Sequence, residues 1–187
     1  MTRLAVGVAI GVLVLTACGG DGNEASQSEE TAWANDVCQG ADQVSSSISG
    51  LTDSIKIDSG SGTSALQQAQ TELTNRVNTV QKDIGDLGDT ITDLPDNTND
   101  AITQASDQLN DDAQQLSDSV SDLTGATQKA ADATDAQAFT AAIAEATSSL
   151  SATKDALGSL TDNLSSYLTS ADDALKQAFN DAPACQG

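Results

Sequence analysis

A hydrophobic residue returns every seventh position from Leu66 through Leu73, Val80 and Leu87 to Leu94, and Val77, Ile84 and Ile91 interleave between them. Spacings that alternate between three and four place all of these side chains on one stripe of an α-helix. A helix striped in this way has to bury that face against another helix. Gly85 and Gly88 fall off the stripe and cost about 1 kcal/mol each relative to alanine; they either admit a close neighbour or are simply tolerated. Leu94-Pro95 ends the helix, because the residue before a proline resists the helical region.

The same periodicity recurs on both sides. An earlier helix carries Trp33, Val37, Ala41, Val44, Ile48, Leu51 and Ile55 on one face, and residues 56–62 interrupt the pattern as a loop. A third stripe runs Ile102, Leu109, Leu116 and Leu123, with Ala113 and Val120 between; from Gly125 to Asp135 the helix should fray or turn. The last stripe runs from Phe139 through Ile143, Ala146, Leu150, Leu157, Leu160, Leu164, Leu168 and Leu175 to Phe179. Capping residues are expected at Ser26, Ser64, Asn97 or Thr98, and Thr134, with Glu29, Gln67 and Gln137 completing three capping boxes. Unbroken, the last helix would reach ~65 Å, against ~45 Å for the second, at 1.5 Å per residue. A break is therefore expected near Gly158 or near Ser170. Short loops between long helices favour an all-α, antiparallel up-down four-helix bundle within one chain over a coiled coil between chains.

Ahead of the bundle, Met1-Thr2-Arg3 carries a positive charge and Leu4 to Thr16 is uncharged and largely apolar. That run is shorter than the ~20 residues a spanning helix needs, and it fits a removable export signal. It ends in Leu15-Thr16-Ala17-Cys18, which resembles the lipobox of bacterial lipoprotein precursors. The resemblance implies cleavage before Cys18, a diacylglyceryl group on its thiol, and further acylation (palmitate or a similar chain) of the new amino group. Two acyl chains anchor stably where one holds only marginally. Residues 1–17 would then be a signal peptide, 18–28 a flexible Gly/Ser/Asn-containing tether, and 29–187 the helical domain on the outer face of the cell membrane. Its Ala/Thr/Asp-rich composition is similar to exported lipoproteins of high-GC Gram-positive bacteria.

With Cys18 taken by lipid, Cys38 and Cys185 remain of the three cysteines. Outside the cytoplasm such a pair points to a disulfide. Cys38 lies near the start of the first helix and Cys185 just past the last, ends that share one pole of an up-down-up-down bundle.

Composition limits the chemistry. There is no histidine, so neither Ser-His-Asp nor Cys-His nucleophile systems can be assembled, and without Cys-x-x-Cys the usual zinc sets are missing too. No Gly-rich phosphate loop occurs, and Ser151 with Lys154 sits among solvated residues. No cofactor is expected. The formal charge of −21, becoming −22 once Arg3 is cleaved away, repels nucleic acid. Asp83, Asp86, Asp89, Asp93 and Asp96 form the densest acidic run. It has the order of neither a calcium loop nor a paired glycosidase site, and it reads as a solvated face. The sharper alternative is a surface for a cationic peptide, a polyamine or Ca²⁺. Trp33 and Tyr167 occupy stripe positions, which favours core; the alternative is a ligand pocket between helices. The expectation is a non-enzymatic envelope lipoprotein that binds or scaffolds an unidentified envelope protein or ligand, with a small-molecule or peptide carrier as the alternative.

Overall fold

A computed structural model of the chain describes residues 23–55, 63–96 and 98–186. Those residues form an all-α bundle. Its elements are α1 (Asn23–Ile55), α2 (Thr63–Thr92), α3 (Asp100–Ala131), α4 (Ala136–Ser170), α5 (Asp173–Asp181) and a 3-10 turn (Pro183–Gln186). The expected signal peptide, the lipobox-like Leu15–Cys18, the expected loop at 56–62 and the candidate cap Asn97 lie outside the described residues.

The four stripes meet as their spacing requires. Val37, Val44, Ile48 and Leu51 of α1, and Leu73, Val77, Val80, Ile84, Leu87 and Ile91 of α2, are buried. They join Ile102, Leu109, Leu116, Val120 and Leu123 of α3 and Phe139, Ala146, Leu150, Leu160 and Leu164 of α4 in one continuous core. Consecutive helices run antiparallel. Trp33 near the start of α1 reaches the end of α2, and Gln70 near the start of α2 reaches Ala130 at the end of α3. Near the start of α3, Gln108 and Asp112 meet Tyr167 and Asn163 near the end of α4.

Several helix ends differ from the sequence expectation, each for a visible reason. α1 starts at Asn23, so residues 23–28 are helix rather than tether and Ser26 lies inside it. Asn99, not Thr98, caps α3: its Oδ1 accepts from Ile102 N at 3.0 Å, while the Thr98 hydroxyl is spent on Pro95 O in the preceding turn. The end of α3 agrees with expectation: the helix stops at Ala131, inside the Gly125–Asp135 stretch, and Ala126, Thr127 and Ala130 carry its buried stripe that far. Asp135 rather than Thr134 caps α4, accepting from Ala138 N at 2.8 Å.

Gly158 does not interrupt α4; its neighbours Leu157 and Leu160 keep the helix in the core. The break comes at the other candidate. After Ser170, Ala171 is extended and Asp172 caps α5 by accepting from Leu175 N at 3.0 Å. The chain then doubles back: Asn180 Nδ2 donates to Leu168 O in α4, and α5 lodges against α1, α3 and α4.

Candidate functional site

The helix end where α1 begins gathers most of the residues with candidate roles. The two-residue break at Ala171 and Asp172 brings α5 back into the bundle, and the 3-10 turn carries Cys185 to Cys38. The two are joined in a disulfide with Cα atoms 5.3 Å apart. Ala184 N also donates to Asn35 Oδ1 at 3.0 Å. The pairing expected of these cysteines is formed, and the break in the last helix is what permits it.

Trp33 and Tyr167 also come together here, on either side of Phe179. Ring centroids are 5.8 Å apart for Trp33 and Phe179, edge to face, and 5.4 Å for Tyr167 and Phe179. Phe179 is completely buried and fills the space between the other two. The three rings are therefore core, and the walls expected of an inter-helix pocket at Trp33 and Tyr167 are closed on an aromatic plug. Each polar tip finds a partner, as amphipathic rings do when buried. The Trp33 indole N–H donates to Thr90 O (3.1 Å) and Ile91 O (3.3 Å). Ser106 Oγ donates to Ile91 O as well, at 2.7 Å. Two neighbouring helices thus satisfy carbonyls that the end of α2 would otherwise leave unpaired. The Tyr167 hydroxyl donates to Gln108 Oε1 at 3.0 Å. Burial, with the Asp112 carboxylate nearby, pushes its pKa up to about 12.

The acidic run divides. Asp86, Asp89, Asp93 and Asp96 are exposed as expected, but Asp83 is buried. Its carboxylate faces α1, accepting from Gln43 Nε2 at 2.8 Å and Ser47 Oγ at 2.5 Å. Glu30, also buried, accepts from the side chain and backbone N–H of Asn99. Both are structural ties between helices, and sequence spacing could not reveal them because the partners lie on other helices. Asp93 and Asp96 join Glu29 and Asp36 of α1 around a shallow groove of about 410 Å³ that Ala32, Trp33, Leu94 and Pro95 also line; of the two expected pocket residues it includes Trp33 and not Tyr167. Among the described residues, no three His, Cys, Asp or Glu side chains converge as a metal site. Ser151 and Lys154 are both exposed on α4. No family model, curated protein or solved structure matches this chain.

Proposed function

We propose that this chain is a surface-anchored, non-enzymatic lipoprotein of the cell envelope whose helical bundle binds or positions a component outside the membrane. Acylation of Cys18 holds it to the outer face of the cell membrane. The observation that carries the reading is the bond between Cys38 and Cys185. It leaves Cys18 as the third cysteine, and that residue stands in the lipobox position behind an apolar export-type segment. Disulfides persist in oxidising compartments, which favours export. Among the described residues no helix is long and apolar enough to cross a membrane, so the reading places attachment on lipid. A strongly acidic body stands off anionic headgroups rather than lying on them.

The test is expression of the full chain in a bacterium that processes lipoproteins, supplied with an alkyne-bearing fatty acid. The unaltered chain should take up the label and sediment with membranes, whereas Cys18→Ser should be unlabelled and released. Membrane retention of Cys18→Ser would overturn the proposal.

A further inference from the structure

We propose that α5 and the 3-10 turn form a strap latched by Cys38–Cys185, so that reducing this bond frees residues 171–186 to swing out as a unit and uncovers Trp33 and Tyr167 while α1–α4 stay packed. The inference does not depend on what is attached to Cys18.

Three observations carry it. The strap is joined to the bundle at one end through the extended Ala171, and its other end is held by the disulfide. Between these points lies a helix of nine residues, well below the ~12–15 at which isolated helices become even marginal in water. Without the bond its docking rests on the inward side chains Leu175, Ala178, Phe179 and Ala182 and on the hydrogen bonds from Asn180 to Leu168 O and from Ala184 N to Asn35. Against these stands the entropy of ordering the whole segment. Finally, the side-chain ties at the α1–α2, α1–α3 and α3–α4 seams use no strap residue, while the strap fills the seam between α1 and α4, with Phe179 between Trp33 and Tyr167. Asp83 links α2 to α1, Glu30 links α1 to the cap of α3, and Asp112 links α3 to α4. Removing the strap opens one slot and leaves those seams intact.

The chemistry is thiol–disulfide exchange with a dithiol reductant. One reductant thiolate attacks Sγ of Cys185, the more exposed partner, forming a mixed disulfide and expelling the Cys38 thiolate, which takes a proton. The second reductant thiol then displaces Cys185, leaving two cysteine thiols and a cyclic disulfide in the reductant. Two electrons and two protons have passed to the protein.

Lys176 lies on the exposed side of α5, whereas Arg76, Lys82, Lys129 and Lys154 lie on the long helices. Brief trypsin digestion of the full chain, mapped by mass spectrometry, therefore reads the strap separately. The oxidised chain is compared with the dithiothreitol-reduced chain and with Cys38→Ser/Cys185→Ser. Cleavage after Lys176 should rise about tenfold or more on losing the bond, with cleavage at the four long-helix sites and the helical circular dichroism unchanged. Acrylamide quenching of Trp33, the single tryptophan, should rise in parallel. Unchanged cleavage at Lys176, or an equal rise at every site, would overturn the proposal; the first means a strap that stays docked, the second a bundle that loosens as a whole.

Discussion

At the scale of single residues, this bundle uses polar side chains to join helices as much as to face water. Asp83 sits three residues after Val80 and four before Leu87, at the edge of the buried stripe, but as one acid in a run of five it reads as solvated. Its partners Gln43 and Ser47 lie 40 and 36 positions away in sequence, so only the paired helices define its role. Trp33 and Tyr167 were more legible, because apolar periodicity alone assigns their rings to the core. Tyr167 offers a direct check, being the single tyrosine. Its pKa rises from 10 to about 12 in the folded chain, chiefly through burial and then through Asp112. The unfolded chain gives up this proton first, so between those values it binds fewer protons than the native state. Stability attributable to this group is complete below pH 10 and falls as pH rises through that window. Ultraviolet difference titration should place native ionisation near 12 and ionisation in concentrated urea near 10. A native midpoint near 10 would mean that the hydroxyl is solvated.

At the scale of elements, the first three stripes each became one helix and the last became α4 and α5, while the ends moved by a few residues. Ends are decided by which side chain happens to accept from the first free N–H groups, and near-equivalent acceptors stand side by side. Thr134 and Asp135 compete for α4, and Thr98 and Asn99 for α3; the carboxylate and the amide win. The break after Ser170 was legible as one of two candidates, because Gly158 weakens a helix without supplying a cap, whereas Asp172 supplies one. Glycine inside α2 permits a prediction in the stabilising direction. A Cβ built at Gly85 or Gly88 meets nothing within 4 Å, while at Gly40 it comes within 2.9 Å of Leu87 Cδ1, where α1 and α2 approach closely. Gly85→Ala and Gly88→Ala should each add about 0.5–1 kcal/mol to unfolding free energy in urea. Gly40→Ala should fall short of that gain because Leu87 must shift. Equal gains at all three positions would show that α1 and α2 pack loosely enough at Gly40 to admit a methyl group without cost.

At the scale of the whole molecule, the disulfide closes a ring of 147 positions that contains α2, α3, α4 and α5 in full. A loop this long loses about 4–5 kcal/mol of unfolded-state freedom on the chain-entropy account. The ring's closure point, however, lies on the strap, which contributes one wall to a core otherwise built by four long helices. Breaking the bond restores freedom to the unfolded chain, and a strap that opens restores some to the native state as well. The two gains partly offset, so the fall in stability should stay at or below the full loop-closure value. Urea unfolding of Cys38→Ser/Cys185→Ser should accordingly show a loss of about 2–5 kcal/mol, with native helicity retained before the transition. A larger loss, or helicity missing before urea is added, would mean that the four long helices depend on the strap for their packing. In that case the bond would be a condition of the bundle rather than a clasp upon it.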